Sequence, residues 1–165
     1  MSDFVNTVDI YGDNALTDMI ITRSITEYND NAINKIGDHA FYGCAGLTSV
    51  RIPAATLIDR YAFVNCSKLP IIDLHSATKI DNYAFSYCSA LKACVVRTPT
   101  MCNISGIAFQ GSLIESGSGY IYVPRVLVDS YKEASGLQYY VNQIRALEDY
   151  TVDGTITGAL DESKI

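Results

Sequence analysis

Apolar residues recur along the chain in one frame: an isoleucine, an alanine-phenylalanine pair, a cysteine, a leucine and then an alternating apolar stretch. The frame occupies three ranges: 36–52, 58–74 and 80–96. The phenylalanines Phe41, Phe63 and Phe85 are spaced 22 and 22 residues apart, and Phe109 follows after 24 residues in a fourth, degenerate copy. A period in the twenties predicts a solenoid, in which each repeat unit, here called a rung, forms one turn of a coil.

The alternating end of each rung predicts a short strand. In the central rung, alternation sends Ile72 and Leu74 to the interior and Ile71 and Asp73 to the opposite face. Because every rung travels the same way round the coil, the stacked strands are expected to form a parallel sheet. The other half of the rung, from Ile58, predicts a short extended piece followed by about one helical turn.

The repeats resemble the BspA-like leucine-rich repeats of bacterial surface and phage-associated proteins. That unit reads Ile-Gly-x-x-Ala-Phe-x-x-Cys-x-x-Leu-x-x-Val-x-Ile-Pro, and 36–53 matches it at nearly every anchor, including Gly37, Cys44 and Pro53. The next two rungs lose the glycine and the proline. The resemblance covers about 26–125. It implies an α/β solenoid of the leucine-rich-repeat type: a right-handed coil with short parallel strands, helical turns on the other side and helical end caps.

These patterns predict four parts: an N-terminal tail and capping helix (1–25), a solenoid of about four rungs (26–125), a C-terminal helical cap (126–150) and a flexible tail (151–165). The apolar spacing within 15–23 predicts the first capping helix. The C-terminal cap is expected to contain a helix at 125–134, a short turn at 137–144 and a final edge strand at 145–147. The C-terminal sequence also resembles the ending of many phage and gut-bacterial proteins with such repeats.

Charge and hydropathy limit the partners. The net charge is −6 and the pI about 4.7, so the electrostatic footprint of a nucleic-acid-binding protein is not expected. No apolar run reaches 18 residues, and membrane insertion is not expected. The first 14 residues lack the basic start and apolar core of a signal peptide. The resemblance nevertheless implies an extracellular, cell-surface or virion location.

The cysteines and histidines do not form a pattern typical of chemistry. Three of the five cysteines are repeat anchors, and we expect these to be a stack of free, buried thiols that act as small apolar residues. Cys94 is expected at an inward strand position and Cys102 in the loop that follows. A zinc site is not expected, since no Cys-x-x-Cys spacing occurs and His39 and His75 are far apart. No catalytic or cofactor-binding motif is present, so neither an enzyme nor a cofactor is predicted.

Two surfaces are candidate binding sites. The first, called the sheet face, consists of the outward strand positions, among which Ile71 and Val95 are expected to be exposed: Arg51, Ile71, Asp73, Val95, Tyr120 and Tyr122. Ser49 and Ala93 belong to the same rows. The second, called the turn strip, lies on the other side of the rungs: His39, Tyr42, Tyr61 and Tyr83. Tyrosine suits binding surfaces because it offers a large area with a polar tip. The alternative is that these tyrosines simply fit half-buried repeat surfaces.

The function that these features favour is a non-enzymatic binding or adhesion module, recognising a protein or glycan ligand on a cell surface. A glycan is the less favoured ligand because the chain has no tryptophan. The alternative is a structural subunit or spacer of a larger assembly, such as a phage tail or a cell-surface structure. In either case a homo-oligomer is possible.

Overall fold

The computed structural model describes residue 25 and residues 27–149, together with the backbone of three short strands outside that range. Its strands are β1 (Ala15–Leu16), β2 (Glu27–Asn29), β3 (Lys35–Ile36), β4 (Ser49–Arg51), β5 (Leu57–Ile58), β6 (Ile71–Leu74), β7 (Lys79–Ile80), β8 (Ala93–Val96), β9 (Asn103–Ile104), β10 (Tyr120–Val123), β11 (Ile144–Ala146), β12 (Thr151–Val152) and β13 (Thr155–Ile156). The helical elements are α1 (Val128–Glu133) and three 3₁₀ helices at Arg125–Leu127, Gln138–Tyr140 and Leu147–Asp149.

Two parallel sheets run along a β-solenoid of about five turns. The longer sheet has the order β11-β10-β8-β6-β4-β2, and the shorter one has the order β1-β3-β5-β7-β9. Strands of the same sheet are one rung apart in sequence, as the repeat predicted. The first turn was missed as a repeat because it lacks the frame: Met19 stands where the next rungs have phenylalanine.

The inward positions of the longer sheet agree with the sequence pattern. The side chains of Ile72, Leu74, Ile121 and Val123 are completely buried. The predicted extended piece at Ile58 is also present, and it pairs in register with its equivalents in the neighbouring rungs. Alternation therefore located both the strands and their buried faces.

The predicted helical turn on the other side of the rung is instead a series of tight turns. Backbone N–H groups there alternate between two directions. The N–H of Val64 donates to Tyr61 O within the rung, whereas the N–H of Phe63 donates to Ala84 O of the next rung at 2.7 Å. Because every second N–H points along the coil axis, this segment binds its neighbours as a strand does and cannot form a helix.

Stacked phenylalanine rings fill the centre of the coil. Four are completely buried: Phe41, Phe63, Phe85 and Phe109. Successive ring centroids are 4.8, 5.1 and 5.8 Å apart, and the planes of neighbouring rings are within 9° of parallel. Tyr28 packs edge-on against Phe41 at one end, and Tyr140 packs edge-on against Phe109 at the other. The core is thus one continuous aromatic column closed by a tyrosine at each end.

Helical end caps are the weakest part of the sequence prediction. The only α-helix in the described part of the chain is α1, six residues long. At the N-terminal end, Ala15–Leu16 forms a strand that pairs with β3 rather than the start of a helix. The remainder of that predicted helix, 17–23, lies outside the described residues.

At the C-terminal end, a strand closes the longer sheet. The predicted edge strand at 145–147 is found as β11, which pairs in parallel with β10. Beyond it, β12 and β13 pair antiparallel, and the rest of the predicted flexible tail lies outside the described residues. The longer sheet therefore ends in a strand supplied by the C-terminal segment.

The five cysteines are free and buried, which confirms the prediction for the three anchors and for Cys94; the burial of Cys102 is a further finding. The thiol of Cys66 donates to Phe41 O at 3.2 Å, and that of Cys88 donates to Phe63 O at 3.0 Å. Both bonds reach the preceding rung, so these cysteines link rungs as well as fill space. Burial raises the pKa of Cys102 to about 12 and that of Cys94 well above its ordinary value.

We expect Phe63→Ala to lower the free energy of unfolding by about 3–5 kcal/mol, because the cavity would interrupt the phenylalanine column between two rungs. Urea denaturation of the variant and of the wild type would measure this difference in the free energy of unfolding. Val126→Ala is the control, since the Val126 side chain is 86% exposed and its loss should change stability by less than about 0.5 kcal/mol. A wild-type urea midpoint for Phe63→Ala would refute the importance of the column.

The buried thiols should resist alkylation in the native protein, because the reactive thiolate is both inaccessible and disfavoured. All five should react once the chain is unfolded in denaturant, and mass spectrometry would count the labels. Ser135→Cys, at an exposed position, provides a sixth thiol that should react at once in the native state. Rapid native labelling of any wild-type cysteine would contradict the structure.

Candidate functional site

The six sheet-face residues do lie on the same face of the longer sheet. Arg51 pairs with Asp73, Asp73 with Val95, and Val95 with Tyr122, so these four form one row across the strands. Ile71 and Tyr120 lie in a parallel row, with Ala93 between them. The repeat register therefore placed these side chains together correctly.

The prediction that Val95 is exposed is wrong. Val95 is completely buried and Ala93 is 3% exposed, because Ile71, Tyr122 and Leu147 pack over them. Leu147 belongs to the 3₁₀ helix that follows β11. The outer face thus carries a small apolar cluster of its own, which the C-terminal segment helps to cover.

Asp73 is also buried, with 5% of its surface exposed. The Nε–H group of Arg97 donates to both carboxylate oxygens of Asp73, at 2.9 and 3.1 Å. A carboxylate removed from water requires such a partner. Asp73 is therefore held by Arg97, the residue directly after β8, rather than offered to a ligand.

The two sheet-face tyrosines are half-buried. Their rings are edge to face, with centroids 6.0 Å apart, and the guanidinium of Arg145 lies 4.6 Å from the centroid of Tyr120. Burial raises the pKa of Tyr122. Arg145 comes from β11, so the C-terminal strand covers one face of Tyr120.

In the turn strip, His39 and Tyr42 are exposed and Tyr61 and Tyr83 are half-buried, and the strip is built on an unusual backbone. His39, Tyr61 and Tyr83 have φ values of 61°, 57° and 59°, in the left-handed region that side-chain-bearing residues rarely adopt. Each such residue costs on the order of 1–3 kcal/mol. The conformation turns the N–H of Tyr61 towards Asn82 O in the next rung, at 3.4 Å.

The side chains of the turn strip stack along the coil axis. The ring centroids of His39 and Tyr61 are 4.9 Å apart, those of Tyr61 and Tyr83 are 5.3 Å apart, and Tyr42 lies 5.2 Å from His39. Tyr42 is 37% exposed. Since the faces of these rings cover one another, the strip presents ring edges and polar ring atoms to solvent.

A cleft opens where the turn strip meets the C-terminal segment. Ile107, which is 42% exposed, takes the fourth place in the column of His39, Tyr61 and Tyr83. The cleft has a volume of about 530 Å³, and its lining residues are Gly106, Ile107, Glu115, Gly136, Gln138, Tyr139 and Tyr140. Sequence reasoning missed it, because its walls come from two segments that no repeat relates.

The floor of the cleft is a contact between two backbones. A Cβ atom on Gly106 would lie only 2.2 Å from Gly136 O, so only glycine fits there. The hydroxyl of Tyr140 donates to Gly106 O at 3.0 Å. A second tyrosine secures the same segment: Cys102 N–H donates to the hydroxyl oxygen of Tyr131 at 2.7 Å. These contacts hold the segment from Cys102 to Gly106 against the C-terminal segment and so fix the floor of the cleft.

Neither surface presents a constellation typical of catalysis. Among the described residues, no three His, Cys, Asp or Glu side chains lie close enough together to hold a metal ion. What the surfaces offer is aromatic area bordered by polar groups, which is suited to recognition. In the same part of the chain, no helix has the length and apolarity needed to cross a membrane.

The parallel sheets and the stacked anchors define a repeat scaffold of the β-solenoid class. A comparison with protein-family models matches the BspA type leucine rich repeat region, in six copies, over residues 11–121. The chain belongs to this family. Comparisons with curated proteins and with solved structures gave no match. Such repeats suggest a protein-binding or adhesion-type module; the family is typically non-enzymatic and often surface-associated.

Tyr131 and Tyr140, two of the buried tyrosines, predict a loss of stability at alkaline pH. Burial raises the pKa of Tyr131 to about 12; burial and then the nearby Glu115 carboxylate raise that of Tyr140 to about 12. The ordinary value is about 10. The unfolded chain thus loses these protons first, so the contribution of these two phenols to the free energy of unfolding should be constant below about pH 10 and fall between about pH 10 and 12. The buried thiols of Cys94 and Cys102, whose pKa is also raised, add a fall that begins near the ordinary thiol pKa of about 8.5.

Urea titrations at increasing pH would measure this fall. Tyr140→Phe should reduce the alkaline slope, because it removes one of the two phenols. Tyr139→Phe, which alters the adjacent side chain that is 81% exposed, should leave the slope as in the wild type. Equal slopes for wild type and Tyr140→Phe would contradict the assignment.

Proposed function

We propose that the protein is a non-enzymatic recognition module that binds a protein on a cell surface or virion through its turn strip. The observation that carries the proposal is the aromatic column of His39, Tyr61 and Tyr83 on left-handed backbone. Glycine is the residue that relieves this strain, and the chain uses it at two of the four positions of the neighbouring left-handed column, Gly43 and Gly111, where the other two are Asn65 and Tyr87. The turn strip instead has an aromatic side chain at each of its left-handed positions, so the strain of that backbone requires a compensating interaction.

Stacking supplies part of that compensation. An aromatic pair contributes about 0.5–1.5 kcal/mol beyond the area that it buries, which is comparable with the strain of one residue. A partner that covers the strip would supply more, since tyrosine side chains are enriched among the residues that contribute most to binding. Three further exposed apolar residues lie close to this side of the coil: Tyr87, Ile107 and Tyr139.

The geometry favours a protein over a glycan as the ligand. A sugar ring binds by lying flat on an aromatic face, whereas the faces of Tyr61 and Tyr83 are turned towards each other, with planes 7° from parallel. The remaining edges and hydroxyl groups suit hydrogen bonding and side-chain packing against a protein. The sheet face is less suitable, since Asp73 and Val95 are buried.

The test uses the double variant Tyr61→Asn/Tyr83→Asn. Asparagine tolerates the left-handed backbone, as Asn65 does in this chain at a φ of 62°. Saturable binding would be measured on bacterial cells, on immobilised extracellular-matrix proteins and on a glycan array. We expect the double variant to bind about tenfold more weakly or worse, with a nearly unchanged urea midpoint.

The matched control is Arg51→Ala/Tyr120→Ala on the sheet face, which should bind as the wild type does. Loss of binding in the control but not in the turn-strip variant would assign the site to the sheet face. Saturable binding to glycans alone would overturn the choice of a protein ligand. No binding to any of these surfaces, together with a defined oligomer in light scattering, would favour the structural subunit instead.

A further inference from the structure

The cleft beside Ile107 and Tyr139 differs chemically from the rest of the turn strip. Its walls are largely apolar, and the two most exposed apolar side chains on its rim are Ile107, at 42%, and Tyr139, at 81%. Its volume of about 530 Å³ lies in the range of sites that bury a ligand group. An apolar side chain from a partner would fit between these walls.

The charge of the cleft is negative. Among the residues that line it, only Glu115 is charged. The Oε2 atom of Glu115 accepts the N–H of Gly111 at 2.7 Å, which holds the carboxylate in place. A carboxylate has about four acceptor positions, so this bond leaves acceptor capacity for a ligand cation. The negative charge also acts within the cleft, where it contributes to the raised pKa of Tyr140.

The other polar groups of the cleft are arranged around its floor. Gln138 Oε1 accepts the N–H of Gly136 at 2.8 Å, and the Tyr140 hydroxyl donates to Gly106 O. These bonds fix both glycines and leave the apolar walls in position before any ligand arrives. A preformed cleft loses less conformational entropy when it is filled.

We propose that this cleft takes a peptide segment of the partner protein in which a large apolar side chain lies next to a lysine or arginine. The apolar side chain packs between Ile107 and Tyr139, and the cation pairs with Glu115. This inference rests on the proposed function, because it places the cleft at the end of the turn strip as a specificity pocket for the same protein partner. The net charge of −6 adds a long-range attraction for a basic segment.

The probes are three blocked tripeptide amides: Lys-Phe-Lys, Glu-Phe-Glu and Lys-Gly-Lys. Each would be titrated into uniformly ¹⁵N-labelled protein while the backbone amide signals are followed by NMR. We expect Lys-Phe-Lys to shift the amides of Gly106, Glu115 and Gly136 saturably. The other two peptides should bind much more weakly, since one has the wrong charge and the other lacks the apolar side chain.

Two variants separate the contributions. Glu115→Gln keeps an oxygen acceptor for the Gly111 N–H but removes the charge, and should weaken Lys-Phe-Lys binding about twofold to fivefold. Glu148→Gln is the matched control: Glu148 also accepts a backbone N–H, that of Arg125, but lies outside the cleft lining, so affinity should not change. Tyr139→Ala should reduce the affinity further, with folding preserved because that side chain is exposed.

Several outcomes would overturn the inference: no saturable shifts with Lys-Phe-Lys, equal binding of Glu-Phe-Glu, or equal affinity of Glu115→Gln and wild type. None of them affects the test of the turn strip, which uses Tyr61 and Tyr83 and a whole partner. If the turn-strip variant loses its partner while Glu115→Gln keeps full affinity for that partner, the recognition function stands and the cleft is excluded as its specificity pocket.

Discussion

Four phenylalanine rings, stacked 4.8 to 5.8 Å apart along the coil interior, set the geometry that every other part of this protein follows. One rung cannot exclude water from its own ring, so each phenylalanine depends on the rungs above and below it. The spacing of the rings matches the separation of neighbouring strands in a sheet, about 4.8 Å. Aromatic stacking and backbone hydrogen bonding therefore both favour a rise of about 4.8 Å per rung. Tyr28 and Tyr140 pack edge-on against the first and the last phenylalanine of the column.

The same register acts on the outer surface. Positions one period apart must lie above one another, so an aromatic residue at one turn position becomes a stacked column when the next rungs repeat it. His39, Tyr61 and Tyr83 form such a column at centroid distances of 4.9 and 5.3 Å. Their left-handed backbone follows from the alternation of N–H directions that joins the rungs. The scaffold thus provides an ordered aromatic surface, and its left-handed backbone is the observation on which the proposed function rests.

The sequence predicted the strands and the register that the repeat sets, and it missed the contacts that the C-terminal segment makes with them. Alternation located the buried residues Ile72 and Leu74, and the period placed Arg51, Asp73 and Val95 in one row. Their exposure could not be predicted. Val95 is covered by Leu147, which lies outside the repeats, and Asp73 is held by Arg97, where the equivalent position of the preceding rung has His75. The helical turn was wrong because its apolar spacing fits a helix equally well, whereas hydrogen bonding to the neighbouring rungs decides the backbone.

The cleft arises where the repeat fails. The spacing from Phe85 to Phe109 is 24 residues rather than 22, and their rings are 5.8 Å apart, the widest separation in the column. In the same rung, Gly106 and Ile107 stand where the preceding rung has Asn82 and Tyr83. Removing a side chain at Gly106 lets the backbone at Gly136 approach, and Ile107 then faces Tyr139 across a gap that regular rungs would have closed. A departure from the repeat, anchored by a glycine-to-glycine contact, is therefore what shapes the cleft at this end of the coil.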